Sequence, residues 1–228
     1  IETHRKNKNE IYYDRTYFKG PFITEYNIFA LTFYFKVREN KNDLVSNMIY
    51  KMKYENNALY HDFFADAIID FVVTTGLDKE IDIIVTCPTT TKRSIQPLES
   101  IAQKVSYRLN IPYKKVLVKK GSSTSQVNRS REERFKAVRS EILFLNDVHL
   151  VKGKNILLID DVVTTGATML ASKEILLQTG EAKDVVCLGI CKTYWNKSYE
   201  KISMRPMSAN KKMSLTQRII HSEDTTTN

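Results

Sequence analysis

The segment that most constrains this chain is the run ILLIDDVVTTGAT, from Ile156 to Thr168. Its apolar start, Ile156 to Ile159, is typical of a short buried parallel strand. Two adjacent carboxylates follow, Asp160 and Asp161, and small residues rich in hydroxyls then lead into a helical stretch. The segment therefore predicts a strand that ends in an acidic pair and turns into a loop at a helix N-terminus.

This strand end and loop have the chemistry of a sugar-phosphate site. Ligands of open α/β sheets bind at the carboxyl ends of the strands. Side chains alternate along a strand, so we expect the carboxylates of Asp160 and Asp161 to point to different sides. One can accept hydrogen bonds from a sugar diol, while the other is held by the backbone or approaches a metal. The hydroxyls, the N–H groups around Gly166 and the helix dipole favour a phosphate.

The alternative interpretation is an ordinary strand capped by aspartate and followed by a threonine-rich helix start. Such residues are common caps, but a cap needs one of them rather than the whole ordered run. The glycine patterns of a Walker loop and of a Rossmann fingerprint do not occur in the sequence. The sequence therefore favours a ribose 5-phosphate, with its phosphate in the loop and its diol on the carboxylates. This requires that the loop face a cleft and that the acids not be locked in ion pairs deep inside the protein.

The rest of the chain predicts alternating strands and helices, which is typical of an α/β doubly wound parallel sheet with helices on both faces. Strands are expected at residues 29–37, 81–86, 116–118, 142–145, 156–159 and 185–191. Helices are expected at residues 44–52, 59–73, 97–109 and 166–179, with Asp43 as an N-cap and Gly76 as a stop. Residues 196–228 are predicted to be a flexible basic tail. A short amphipathic piece, Leu215 to Ile220, could dock on the body, but a solvated tail is favoured.

Composition and charge narrow the class of protein. The 228 residues are 42% hydrophobic and carry a formal net charge of +9, which suits one sizeable α/β domain with an appendage. The basic charge fits an anionic small molecule, nucleic acid or an acidic partner, and does not choose among them. No secretory signal and no membrane-spanning apolar run is visible, so the sequence predicts a cytoplasmic protein with no membrane partner. The three cysteines do not suggest a disulfide framework.

Two further segments are candidates for binding anions. The loop from Cys87 to Arg93 follows the strand predicted at residues 81–86, and its hydroxyls and cations suit a pyrophosphate. The alternative is a polar turn that leads into the helix at Pro97. The basic stretch from Gln126 to Arg139 is predicted to be a mobile loop that can close over a substrate. The alternative there is a solvated charged loop.

The order of residues from Ile156 to Thr168 resembles the phosphoribosyl pyrophosphate (PRPP) motif of type I phosphoribosyltransferases. The resemblance implies that family's fold, with a small N-terminal hood over residues 1–40 and a core over residues 41–195. It also implies transfer of a phosphoribosyl group from PRPP to a small-molecule acceptor, with release of pyrophosphate. Mg²⁺ would bridge the pyrophosphate and the ribose hydroxyls, and no protein residue is assigned to it. The sequence names no acceptor and leaves a homo-oligomer open.

The same resemblance assigns roles to the candidate site residues. Asp160 and Asp161 would act as catalytic residues that orient the ribose, and Arg134 of the basic stretch would supply a catalytic cation. The 5-phosphate would be bound by Val163, Thr164, Thr165, Gly166, Ala167 and Thr168. The pyrophosphate would be bound by Thr89, Thr90, Thr91, Lys92 and Arg93.

Residues 30–195 further resemble the ComF family. The resemblance is carried by Tyr34, the run Lys51-Met52-Lys53-Tyr54, the pair Cys87-Pro88, and Gln126 with Arg134. The chain departs from that family at several points. Arg93-Ser94-Ile95-Gln96 replaces an Arg-Gly-Phe-Asn-like run in a shorter loop, and Phe135-Lys136-Ala137 fills a space where an Asn usually occurs. A Cys-rich zinc module, which often precedes the domain in that family, is not found in the sequence. The resemblance implies two alternatives. One is a PRPP-dependent enzyme. The other is a non-enzymatic PRPP- or nucleotide-binding module in DNA uptake or regulation, with nucleic acid or a DNA-processing protein as partner.

Overall fold

The structure is a computed structural model in which the sheet, the helices around it and most of the predicted sugar-phosphate site are described. The described residues are 15–18, 20–24, 26–35, 43–55, 57–89, 96–119, 142–144, 147–194, 200–201, 206–209 and 211–221. Within these ranges, no helix has both the length and the apolarity that crossing a bilayer requires.

A mixed sheet of six strands forms the centre of the fold. In chain order the strands of the whole structure are β1 (Phe22–Ile23), β2 (Ile28–Tyr34), β3 (Ile83–Thr86), β4 (Leu117–Lys119), β5 (Ile142–Phe144), β6 (Asn155–Val163), β7 (Asp184–Thr193) and β8 (Glu200–Lys201). The main sheet has the order β3-β6-β7-β2-β1-β8, while β4 and β5 form a separate antiparallel pair. The four strands from β3 to β2 are parallel neighbours, and β1 runs antiparallel to β2.

Helices cover both faces of this sheet. They are α1 (Leu44–Tyr54), α2 (Leu59–Thr75), α3 (Pro97–Leu109), α4 (Ala167–Gln178) and α5 (Leu215–Ile220). Alternate residues of β6 show the two faces: Leu157 packs in a core cluster with α1, α2, α3 and α5, whereas Ile156 and Leu158 pack with α4. Because side chains of a strand alternate between faces, the two clusters lie on opposite sides of the sheet. The predicted α/β class, with a parallel-dominated sheet between helices, is confirmed.

Local capping signals set the helix ends that the sequence predicted. The Asp43 side chain accepts a hydrogen bond from Ser46 N at 2.9 Å and caps α1, as N-cap aspartates commonly do. Gly76 has φ +75° at the end of α2, a left-handed conformation that glycine adopts without steric cost. Asn110 ends α3 with φ 54°. The helices therefore begin and end within about two residues of their predicted bounds, as is usual for assigned ends.

The strand that carries the acidic pair is longer than the sequence predicted. We expected a strand over residues 156–159 that ended before the acids, but β6 runs on to Val163. The reason is β7, which offers a partner along that whole length: Asp160 pairs with Gly189 and Val163 with Lys192. The two aspartates are therefore part of the sheet, and the turn into the helix begins at Thr164.

The N-terminal segment contributes to the sheet instead of standing apart from it. Strand β2 lies between β7 and β1 and pairs with β7 from Ile28 to Tyr34. Phe29 and Ala30 of this strand are fully buried. The hood or edge segment over residues 1–40 stays a prediction, because residues 1–14 and 36–42 lie outside the described residues.

Near the C-terminus, α5 docks on the body, so the preference for a solvated tail is wrong for Leu215–Ile220. Leu215 and Ile219 are buried in the core cluster that contains α2 and β7. Arg218 donates from Nε to Ser208 O at 2.7 Å and from a guanidinium N–H to Glu80 Oε1 at 3.1 Å. Burial of two aliphatic side chains explains why this short polar-flanked segment is ordered.

Candidate functional site

The acidic pair lies where the parallel strands end, with its two carboxylates in different surroundings. Asp161 reaches toward α1, where its Oδ2 is 2.9 Å from Lys53 Nζ. Asp160 lies near Cys87, the residue that follows β3. Backbone N–H groups hold both carboxylates: Asp161 N donates to Asp160 Oδ1 at 2.9 Å, and Val162 N donates to Asp161 Oδ1 at 2.6 Å. The predicted divergence of the two side chains follows from the alternation along β6.

A cavity of about 220 Å³ brings three predicted regions together. It is lined by Asp160 and Asp161 from β6, Thr168 from the first turn of α4 and Thr89 from the loop after β3. Strand order explains this grouping, because β3 and β6 are parallel neighbours and Cys87 N donates to Ile159 O at 2.9 Å. The acids therefore face a cleft, as the sugar-phosphate interpretation requires.

The ion pair of Asp161 with Lys53 lies in the wall of the cavity rather than deep in the protein. The Lys53 and Asp161 side chains keep 25% and 21% of their surface exposed, and both residues line the cavity. Lys53 belongs to the ComF-like run Lys51-Met52-Lys53-Tyr54, but no role in the site was predicted for it. A partly exposed pair of this kind leaves the carboxylate accessible to a ligand.

The loop after β6 has the backbone of an anion site. Gly166 precedes α4 with φ +79°, and a Cβ there would come within 2.9 Å of Ile28 Cδ1. The first N–H groups of a helix have no intrahelical partners and carry partial positive charge, so the start of α4 can bind a phosphate. Thr165 Oγ1 is 3.4 Å from Ala167 N, and Thr164 is exposed.

The side chains of this loop are not equally placed for binding. Thr168 lines the cavity. Val163 is 2% exposed and packs in the α4-side core, which leaves its backbone as the part that can contact a ligand. Behind the loop, Lys192 of β7 is buried and donates from Nζ to Thr164 O. This lysine holds the loop against β7. The sequence gave no reason to expect that role, because the contact joins residues that are far apart along the chain.

The structure describes one residue of the predicted pyrophosphate-binding set and does not include the predicted catalytic cation. Thr89 is described and lines the cavity. The other predicted residues, Thr90, Thr91, Lys92, Arg93 and Arg134, lie outside the described residues. Among the residues that line the cavity, the cations are Lys53 and Lys119.

Burial and mutual repulsion dominate the electrostatics of the acidic pair. Burial raises the pKa of Asp160, the neighbouring Asp161 raises it further, and Lys53 lowers it, with the result that the pKa lies at about 7. For Lys53, burial lowers the pKa, but Asp161 and Asp160 outweigh it, so that the pKa is raised. The site therefore changes its charge near neutral pH.

This raised pKa predicts that Asp160→Asn stabilises the protein at alkaline pH. The folded state holds the Asp160 proton up to about pH 7, whereas an unfolded aspartate loses it near pH 4. Wild-type stability attributable to this group therefore falls as the pH rises from about 4 to 7. The amide is neutral throughout, so at pH 8 we expect the variant to be more stable by about 1 kcal/mol or more, with a smaller difference at pH 4. Urea unfolding at both pH values measures this, and a variant less stable than wild type at pH 8 would contradict the assigned pKa.

The described residues offer limited protein ligands for a metal. No group of three or more His, Cys, Asp or Glu side chains within them has the geometry of a metal site. Mg²⁺ was predicted to bridge oxygens of the pyrophosphate and ribose, with no protein residue assigned to it. Hard oxygen donors of that kind are the ligands that Mg²⁺ prefers.

Comparison with known proteins identifies the family. The model of the phosphoribosyl transferase domain matches residues 60–219. The chain therefore belongs to the phosphoribosyltransferase family, and the predicted type I phosphoribosyltransferase fold is confirmed. A comparison with the curated proteins finds no match.

Several solved structures are similar at low identity. An adenine phosphoribosyltransferase is 18% identical, with 56% of this chain and 69% of that chain covered and a TM-score of 0.37. A hypoxanthine phosphoribosyltransferase from Staphylococcus aureus is 13% identical, with coverages of 62% and 71% and a TM-score of 0.38. A phosphoribosylpyrophosphate synthetase from Mycobacterium smegmatis is 19% identical, with coverages of 55% and 33% and a TM-score of 0.34. Likenesses this distant say nothing about the substrates of this chain.

Proposed function

We propose that this protein binds PRPP and transfers its phosphoribosyl group to a small-molecule acceptor, with release of pyrophosphate. The observation that carries the proposal is the single cavity lined by the acidic pair, by Thr89 after β3 and by Thr168 at the start of α4. A PRPP molecule needs a phosphate site and a pyrophosphate site on either side of a diol site. The order of these residues along neighbouring strands supports such an arrangement.

The start of α4 would bind the 5-phosphate. Its N–H groups and the hydroxyls of Thr164, Thr165 and Thr168 are donors that suit a dianion. Lys192, held against Thr164 O, would keep the loop in place while the ligand binds. The ribose diol would then lie over the acidic pair, because Asp160 and Asp161 follow the same strand directly before the loop.

The loop after β3 would bind the pyrophosphate through Thr89, Thr90, Thr91, Lys92 and Arg93. As pyrophosphate leaves C1, positive charge develops on the ribose, and an acceptor nitrogen attacks that carbon. The carboxylates would stabilise this charge and hold the ring in position, while Arg134 would stabilise the leaving group. Bound Mg²⁺ would supply further neutralisation of the pyrophosphate oxygens.

A pyrophosphate-release screen tests this proposal. The protein would be incubated with PRPP and Mg²⁺ and with purines, pyrimidines or ammonia in turn, with PRPP alone as the background reaction. We expect release above background with at least one acceptor. If PRPP binds but no acceptor supports release, the non-enzymatic module becomes the better account, and if PRPP does not bind the whole proposal fails.

DNA binding is the second candidate, and the net charge of +9 favours it. It corresponds to the ComF-like role in DNA uptake or regulation. Tyr194 and Trp195 are aromatic residues that could stack on a base, but the ring centroid of Tyr194 already lies 5.4 Å from that of Phe33 and 5.0 Å from that of Phe35. Trp195 lies outside the described residues. Filter binding to duplex DNA would show affinity that falls steeply with salt, and no association at low salt would remove this candidate.

A further inference from the structure

Lys53 reaches the candidate site from a helix that the family comparison does not include. Helix α1 ends at Tyr54, whereas the family match begins at residue 60. The Lys53 Nζ is 2.9 Å from Asp161 Oδ2, and the side chain lines the same cavity as the acidic pair. The contact thus joins a helix outside the matched residues to the acidic pair inside them.

Contacts from two directions fix the orientation of the Asp161 carboxylate. Val162 N donates to Oδ1 at 2.6 Å, and Lys53 is at Oδ2. A carboxylate has about four lone-pair sites on its two oxygens, so acceptor capacity remains for a ligand in the cavity. A carboxylate held at both ends is presented in one orientation, which lowers the entropic cost of binding a diol.

In the part of the chain that the structure describes, Lys53 is the cation that forms an ion pair with the acidic pair. Among the described residues, Cys87 after β3 and Cys191 of β7 face the pair besides Lys53, and Tyr34 of β2 and Tyr54 of α1 face Lys53. The other cavity cation among the described residues is Lys119. Two adjacent carboxylates repel each other, and Lys53 compensates part of that charge.

We propose that Lys53 is a positioning residue that orients Asp161 and compensates the charge of the acidic pair, so that both carboxylates accept hydrogen bonds from the ribose of PRPP. This inference rests on the proposed PRPP site. The predicted consequence is a change in pH dependence, because without Lys53 the pair takes up a proton at a higher pH. The electrostatics of Asp160 agree with this expectation, because Lys53 lowers the pKa of that carboxyl group.

The first test uses no ligand. Aspartate carboxyl carbons would be labelled with ¹³C and titrated by NMR in wild type, Lys53→Met, Lys53→Arg and Lys51→Met, with Asp160→Asn and Asp161→Asn spectra for assignment. Lys51 is an exposed residue of the same helix, so its variant controls for a lost charge on α1. We expect the protonation midpoint of the pair to move upward in Lys53→Met alone. A midpoint equal to that of wild type would overturn the proposal.

The second test is calorimetric titration with PRPP and Mg²⁺ from pH 6 to pH 9. Loss of a charged hydrogen-bond partner corresponds to roughly tenfold or more in affinity, so we expect at least a tenfold loss for Lys53→Met at pH 7. The loss should shrink as the pH rises and the pair deprotonates, and Lys53→Arg should restore most of the affinity. A loss that is constant across the range would overturn the charge compensation, and the absence of any loss would overturn the positioning role.

The two tests separate this inference from the proposed function. If wild type does not bind PRPP at any pH, the proposed function fails, and the inference about ribose fails with it. The carboxyl titration still shows in that case whether Lys53 controls the charge of the pair. If wild type binds PRPP and Lys53→Met behaves like Lys51→Met in both tests, the function stands and the inference about Lys53 fails.

Discussion

Replacing both Asp160 and Asp161 with asparagine is expected to abolish measurable PRPP binding. Each substitution keeps the shape of the side chain but removes a charged acceptor, and hydrogen bonds to charged groups contribute about 1.5–3 kcal/mol each. Loss of two such bonds corresponds to about a hundredfold to ten-thousandfold lower affinity. Calorimetry with PRPP and Mg²⁺ would measure the change.

A double substitution on α2 provides the matched control for this experiment. Asp62 and Asp66 pair with Lys104 and Arg108 of α3, and neither aspartate lines the cavity. Asp62→Asn with Asp66→Asn therefore removes the same charge at another place. We expect this control to bind PRPP like wild type. If the Asp160 and Asp161 variant also kept wild-type affinity, the assignment of these carboxylates to the ribose would be wrong.

The second large effect is a loss of folding stability, expected when buried side chains of α5 are removed. Leu215 and Ile219 are 4% and 1% exposed and pack in the core. Substitution of a buried leucine or isoleucine by alanine costs about 2–5 kcal/mol, so Leu215→Ala with Ile219→Ala is expected to lower the free energy of unfolding by roughly 4 kcal/mol or more. In a chain of this size each kcal/mol shifts Tm by about 2–4 °C. Urea and thermal unfolding would measure both quantities.

Lys211→Ala, at an exposed position before the same helix, serves as the control for α5. Surface substitutions of this kind usually change stability by less than about 0.5 kcal/mol. A double alanine variant with the stability of this control would show that α5 contributes little to the core. In that case, the solvated tail predicted from the sequence would describe this segment better than a docked helix.

Several elements of this fold could be predicted because their signals are local. Pro97 at the first turn of α3 and Asn110 in a left-handed conformation at its end mark both limits of that helix in the sequence. The alternation of strands and helices predicted the class of sheet. The run from Ile156 to Thr168 predicted a strand, an acidic pair and a helix start in the right order, because each of these depends on neighbouring residues.

The features that were missed depend on contacts between distant parts of the chain. The extension of β6 to Val163 follows from its pairing with β7. Lys53 becomes a site residue because α1 packs against the end of β6, and Lys192 restrains the loop because β7 lies beside it. The docking of α5 depends on Asp184, whose Oδ2 accepts from Leu215 N at 2.6 Å. The spacing of residues within these segments does not predict which distant residues they contact.

Calorimetric titration of wild type with PRPP, ribose 5-phosphate and pyrophosphate in Mg²⁺ buffer tests the central claim most directly. PRPP alone can occupy the phosphate loop, the acidic pair and the loop after β3 together. We therefore predict one site per chain, with PRPP bound at least about tenfold more tightly than either fragment, a difference of about 1.4 kcal/mol. Failure of PRPP to bind, or pyrophosphate binding as tightly as PRPP, would contradict a site built around the sugar.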